Sequence, residues 1–240
     1  MLDHLPYRKL RARLLRLAGD LLRTISTATL QGIVWGASKR LEGEVQAIRQ
    51  RLRAAPFVQV DESIVRVDGH RQRIRVFVTE EDLLLAMRDS RARDVVDGVL
   101  GKDYPGRITC DGPKACFGWV LQRCWAHLLR YGKAGAEKSE EGKRLYAKPC
   151  ALSEKPTRDL EKANARAQVR RIRRGTRVLK GMVNRYGKSE DAAVQRAVTH
   201  LENGMQWWLT FLGTPGMEPT NNPGERAPRE PIVSGRSSGR

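Results

Sequence analysis

Three acidic residues stand where carboxylates can do chemistry rather than only meet water. Asp61 falls in the run VQVDES, read as the end of a strand. Asp111 falls in ITCDG, the end of a later short strand, and Glu225 follows the asparagine-rich turn TNNPGER. Acids at strand ends emerge at a sheet edge and can converge there, whereas acids along a helix face usually meet only solvent. Converging carboxylates bind hard divalent cations through oxygen, typically Mg²⁺ or Mn²⁺. Two such ions about 3.5–4 Å apart activate a water and stabilise a leaving oxygen in phosphoryl transfer. The chain holds 27 Asp and Glu, so spacing alone singles out no trio, and on spacing alone surface carboxylates are the default.

The elements that must position these acids follow from hydrophobic period and turn residues. Residues 5–24 repeat Leu10, Leu14, Leu17 and Leu21 at helical spacing, interrupted at Gly19. Ser26 or Thr27 offers an N-cap for a second helix through about Arg53, with Leu30, Val34, Leu41, Val45, Ile48 and Leu52 on its apolar side. A helical hairpin is the commoner outcome of such a pair; a helix-turn-helix is the functional one. After Pro56 the pattern turns to strands. Residues 57–88 predict an antiparallel meander, with a polar turn at His70 to Arg73. A helix capped by Ser90 and stopped by Gly101 follows, then the strand of GRITCDG. The run WVLQRCWAHLL (119–129) is ambiguous between strand and helix. Three antiparallel strands, a helix and a fourth strand open an RNase H-like α/β domain, among other α/β folds. Residues 128–204 read as polar, basic and helical, broken at Pro149 and Pro156, with a last helix from a Ser189 cap to Gly213. The end of the chain is rich in Pro, Gly and Ser and reads as loop and disordered tail.

Composition bounds the partner. The chain has 240 residues, 45 Lys and Arg, a net charge of +18 and a pI near 10.4. A polyanion is the expected partner, nucleic acid first. Arg166, Arg170, Arg173 and Arg177 recur on one side of a predicted helix with few balancing acids, a stripe suited to a phosphate backbone. No stretch approaches the ~18 continuous apolar residues of a membrane span, and the first residues lack the apolar core of a secretory signal. The four cysteines form no C-x-x-C pair, which fits a reduced, cytoplasmic setting better than a disulfide scaffold.

With those residues in view, the chain resembles the insertion sequence 66 family of DDE transposases. The resemblance rests on four blocks in family order: VDES with a following RV, CDG followed by KA, QRCWAHLLR, and EPTNNPGERA. It implies an α/β fold with an RNase H-like core (a mixed sheet with helices), an N-terminal helical hairpin and a large helical insertion. The implied layout is an N-terminal helical region at 1–55, the first part of the core at 56–127, the insertion at 128–205, a return to the core at 206–231 and a tail at 232–240. Asp61, Asp111 and Glu225 would be the catalytic D, D and E, holding Mg²⁺ or Mn²⁺ as two ions. The implied chemistry is strand cleavage at transposon ends followed by strand transfer, with DNA as partner, no membrane, and a homo-oligomer when active.

Arg226 and Arg229 flank Glu225 and join the Arg166–Arg177 stripe as candidate phosphate contacts. Asn221 and Asn222 read first as helix caps. Cys124 and His127, three apart, supply only two ligands where a structural zinc site needs four, so core packing beside the site is favoured over zinc. Trp208 reads as core, and Trp207 is open between core and base stacking. Two rival functions stand beside transposition: non-catalytic nucleic-acid binding, and a metal-dependent nuclease on the same core. The chain departs from the family pattern at Ser63, usually Thr, and at Gly224 and Pro228, usually Ala and Leu. A proline in a helix interior costs about 3 kcal/mol or more. Relatives also continue past SGRSSGR and begin further upstream. A truncated, decayed copy and a working enzyme are therefore both open expectations.

Overall fold

A computed structural model of the chain describes residues 7–19, 23–67, 70–88, 93–112, 116, 118–154 and 165–227. The apolar run after Pro56 forms three antiparallel strands, β1 (Phe57–Val67), β2 (His70–Val78) and β3 (Leu83–Arg88). The expected polar turn at His70 to Arg73 is instead the start of β2. Glu62 pairs with Arg75 across the ladder and forms ion pairs with both Arg75 and, on the diagonal, Arg73. Before the sheet lie α1 (Tyr7–Ala18), α2 (Thr27–Arg40) and α3 (Glu42–Ala54). Ser26 caps α2, its hydroxyl accepting from the Thr29 N–H at 2.9 Å. The single helix expected from there to Arg53 is two, broken at Leu41. Leu41 and Val34, expected on the apolar side, are exposed, and α1 buries none of its residues. Leu21 lies outside the described residues.

After β3 the chain crosses through α4 (Arg93–Leu100), whose Val95, Val96 and Val99 are buried. Gly101 ends it in the left-handed region, φ 91°, where a glycine costs least. Ser90, the expected cap, lies outside the described residues. The crossover delivers β4 (Arg107–Cys110) parallel to β1, and β5 (Val120–Arg123) parallel to β4. The result is a five-stranded mixed sheet in the order β3-β2-β1-β4-β5. The ambiguous run at 119–129 resolves into both elements, since β5 ends at Arg123 and α5 (Trp125–Ala136) begins two residues later.

Beyond the sheet stand α5, α6 (Glu140–Glu154), α7 (Ala165–Tyr186) and α8 (Ala192–Asn203). Pro149 does not break this region but sits inside α6. Earlier in α6 the helix packs closely on α5, where a Cβ on Gly142 would meet the Gly135 carbonyl. Pro156 lies outside the described residues. The last long helix is capped by Asp191, not Ser189, because the Asp191 carboxylate accepts from the N–H groups of Ala193 and Val194. It stops at Gly204 rather than Gly213. Trp208 folds back so that its indole N–H donates to the Leu201 carbonyl at 2.8 Å. A Cβ at Gly204 would meet that indole at 3.0 Å. Two 3₁₀ turns, Met205–Trp207 and Thr210–Gly213, take over.

Two cores result. One fills the sheet against α3 and α4 around Val58, Val60, Ile108 and Leu121. The other centres on Trp125, Trp208 and Phe211 among the helices. Trp125 meets Trp208 and Phe211 edge-on at centroid distances of 6.0 and 6.4 Å, the arrangement that aromatic quadrupoles favour. Trp208 is core as expected, and Trp207 packs half-buried against the sheet core. Buried Gln122 ties the two cores together. Its amide donates to the Trp208 carbonyl at 3.2 Å and its oxygen accepts from the Phe211 N–H at 2.8 Å. The last element, α9 (Asn222–Arg226), packs back on β1 and β2.

Candidate active site

The three acids come from three separate parts of the chain, and backbone register brings the first two together. Val60 pairs with Cys110 in the parallel β1–β4 ladder, so Asp61 and Asp111 are the next residues on neighbouring strands and share a face. Asp61 does not end its strand as expected; β1 runs on to Val67, paired with β2 alone. What ends at Asp61 is the parallel pairing, because β4 stops at Cys110. The acids thus emerge at the carboxyl end of the parallel strands, where α/β sheets commonly place ligands.

Glu225 arrives from 101 residues beyond Cys124, whose thiol lies 3.8 Å from its Oε1. The return is fastened by buried polar contacts. The Trp125 N–H donates to the Pro219 carbonyl at 3.0 Å. The Asn221 N–H donates to Cys124 Sγ at 3.2 Å, and its side-chain amide donates to the Val60 carbonyl at 3.2 Å. The Gly224 N–H reaches the buried Gln59 side chain at 3.1 Å. Asn221 occupies the N-cap position of α9 but makes no side-chain cap. Its fully buried side chain clamps α9 to the residue before Asp61 instead. The capping expectation is wrong because β1 offers the amide a carbonyl partner next to the site. Asn222 is exposed in the first turn. A Cβ at Gly224 would meet Asn221 Oδ1 at 2.7 Å, so the family's usual alanine here would require the Asn221 side chain to shift.

Removing that clamp deletes the hydrogen bond from the Asn221 amide to the Val60 carbonyl. Asn221→Ala is expected to cost about 1–3 kcal/mol of stability. By loosening α9 it should also lower activity more than the loss of folded protein explains. Thermal melts paired with activity per folded molecule check this, and equal losses in both would contradict it.

The electrostatics are those of crowded carboxylates. Burial, then the nearby Glu225 and Asp111 charges, push Asp61 up to about 6, against the lowering effect of a backbone hydrogen bond. His127 lies between the other two acids. Its Nδ1 is 3.0 Å from Asp111 Oδ1 and 3.5 Å from Glu225 Oε1. That nitrogen is buried, yet makes no aligned hydrogen bond among the described residues. Arg130 approaches Glu225 Oε2 at 3.8 Å from the rim. Asp61 and Asp111 leave neighbouring strands and Glu225 lies near enough to act on Asp61, an acid-rich corner whose oxygen donors suit a hard divalent cation; the described ligand atoms that lie within 4.8 Å of one another are those of Cys124, His127 and Glu225.

The basic candidates lie elsewhere. Arg166, Arg170, Arg173 and Arg177 are all exposed along α7, a helix without an acidic residue. Its opposite side is buried through Gly175, Leu179, Met182 and Tyr186. Arg226 is exposed beside Glu225, and Arg229, like Pro228, lies outside the described residues. None of the four cysteines forms a disulfide. Among the described residues, no helix is long and apolar enough to cross a membrane. Sequence reasoning placed Cys124 and His127 beside the site but missed the approach of His127 to Asp111 and Glu225, and Asn221 as a clamp. The three-residue spacing of Cys124 and His127 in the first turn of α5 was the one available signal.

A family model described as Transposase IS66 family matches residues 2–239. No curated protein matches the chain.

Proposed function

Because the chain belongs to the IS66 family of transposases, we propose that it is a DDE-type DNA transposase whose acids are Asp61, Asp111 and Glu225. The observation that carries this reading is the convergence of those acids, from β1, the end of β4 and α9, at one end of the parallel strands. The order β3-β2-β1-β4-β5, with the first two acids on its neighbouring parallel strands, supports an RNase H-like core. On this reading residues 128–205 are the insertion before the third acid.

Asp61, Asp111 and Glu225 would hold Mg²⁺ or Mn²⁺. When bound, the ions supply Lewis acidity to a water and to a leaving oxygen in an in-line displacement at phosphorus. The protein's own part is positional. The β1–β4 register sets the spacing of the two aspartates. Asn221 and Gln59 fix the helix that presents Glu225. Burial and the neighbouring acids raise Asp61, which disfavours its bare carboxylate and so favours a bound cation. The α7 stripe and Arg226 hold the phosphate backbone. Water attacks a phosphodiester to free a 3′-hydroxyl, and that hydroxyl attacks target DNA.

The test is a labelled DNA duplex carrying the ends of the element, incubated with Mn²⁺ and a target plasmid. Nicked ends that become joined to the plasmid are the expected result. Nicking without joining supports the nuclease, and metal-independent binding without nicking supports a nucleic-acid-binding protein or a decayed copy.

A further inference from the structure

A second metal chemistry is built into the same corner of the molecule. Cys124 and His127 lie at the start of α5, one turn apart, so their ligating atoms point the same way. The folded chain adds what their spacing lacks. Cys124 Sγ, His127 Nδ1 and a Glu225 carboxylate oxygen lie within 4.8 Å of one another. The individual edges are 3.8 Å from Sγ to Glu225 Oε1, 3.5 Å from Nδ1 to the same oxygen, and 3.0 Å from Nδ1 to Asp111 Oδ1. A tetrahedral ion with bonds of about 2.0–2.3 Å has ligand-to-ligand edges of about 3.3–3.8 Å. The two edges at Glu225 are therefore near tetrahedral spacing before any ion arrives, Nδ1 makes no aligned hydrogen bond to give up, and Asp111 stands outside the three-atom cluster.

We propose that Cys124, His127 and Glu225 form a three-ligand site, with an open fourth position, for a borderline cation of the zinc class. Sulfur and imidazole ligands prefer such an ion, whereas the all-carboxylate set of Asp61, Asp111 and Glu225 suits a hard one. Glu225 belongs to both sets, so the two occupancies exclude each other. A zinc-class ion bound here takes the third acid and switches the enzyme off. That inhibitory half rests on the reading of the acids given above; the site itself does not.

The probe is Co²⁺, which reports its ligands by absorption. The full chain, stripped of metal by a chelator, is titrated with Co²⁺ and then with Zn²⁺. A thiolate-to-cobalt charge-transfer band is expected, abolished by Zn²⁺ in one-to-one displacement. The band is lost in Cys124→Ser and kept in Cys150→Ser and Asp61→Asn. If Cys124→Ser fails to fold, Glu225→Gln serves instead. It keeps the sulfur band but weakens Co²⁺ binding by about tenfold or more, in line with the 10–100-fold cost of losing even an outer partner. No band in the wild type, or a band that survives Cys124→Ser, overturns the site. In the Mn²⁺ nicking reaction, Zn²⁺ should inhibit the wild type, with inhibition relieved by excess Mn²⁺. Inhibition that Mn²⁺ cannot relieve overturns the exclusion. Absence of nicking counts against the transposase reading and leaves the cobalt result to stand or fall by itself.

Discussion

Asp61→Asn is expected to cut divalent-dependent cleavage of an end-bearing duplex by about a thousandfold or more, while the variant folds at least as well as the wild type. The size follows from the role. Lewis-acid stabilisation of a transferring phosphoryl group is worth several kcal/mol, and about 4 kcal/mol is three powers of ten in rate. The stability half follows from the carboxylate's surroundings. Asparagine keeps the shape of the side chain and removes a charge that burial and two neighbouring acids disfavour. A catalytic loss therefore cannot be put down to unfolding. Cleavage within tenfold of wild type would remove Asp61 from the reaction.

The same shift fixes a pH window. Folding raises Asp61 from an ordinary value of 3.8 to about 6. Between those values the native state holds a proton that the unfolded chain has released, so metal-free protein loses stability as pH rises from about 4 to about 6. Above about 6 the unfavourable contribution is fully present, and Asp61→Asn should raise Tm most there. Added Mg²⁺ or Mn²⁺ should raise the wild-type Tm above pH 6 by binding the native state, and raise that of Asp61→Asn much less. A wild-type melting temperature indifferent to pH between 4 and 7 in chelator, matched by the variant, would contradict the crowding of the three acids.

How legible this corner is in the sequence depends on the kind of interaction involved. The strands of 57–88 are readable because alternation of Val58 and Val60, then Ile74, Val76 and Val78, is a local pattern. Asp61 and Asp111 are readable as acids near strand ends, but their adjacency depends on the register Val60↔Cys110, which no local pattern encodes. Glu225 is harder still. Its approach is made by Asn221 and Gly224 bonding to Val60 and Gln59, more than 160 residues earlier. Asparagine before a helix looks like a cap from sequence, and only the buried carbonyl of Val60 makes it a clamp. Helix ends fail for a related reason. Gly204 stops α8 because Trp208 folds back on it, a tertiary contact within a segment whose apolar period continues unbroken. His127 is legible as a possible ligand, but its partners are not, since they lie on β4 and α9.

Replacing Arg166, Arg170, Arg173 and Arg177 together by alanine is expected to weaken binding to duplex DNA by about one to two orders of magnitude near physiological salt, without sequence preference. The four guanidinium groups lie on one side of α7 over eleven residues, about 16 Å of helix axis. Among the described residues none of the four is paired with a carboxylate, and α7 itself supplies no acid. Each phosphate that an arginine no longer neutralises takes about 0.9 from the slope of log affinity against log salt. With two to four phosphates freed in this way, the slope falls by about two to four, a change readable by fluorescence anisotropy at several salt concentrations. The fold should tolerate the change, because the stripe lies opposite the buried face of Gly175, Leu179 and Met182, and alanine is the better helix former. Reducing the crowding of like charge along α7 should also stabilise the free protein slightly. The decisive comparison sets this variant against Asp61→Asn. If charge holds the DNA and carboxylates act on it, the arginine variant loses binding and regains cleavage at high DNA concentration. The aspartate variant binds normally and cleaves at no concentration. A salt slope unchanged by the four substitutions would move the polyanion interface off α7 and leave the surplus charge to be explained by Arg226 and the N-terminal helices.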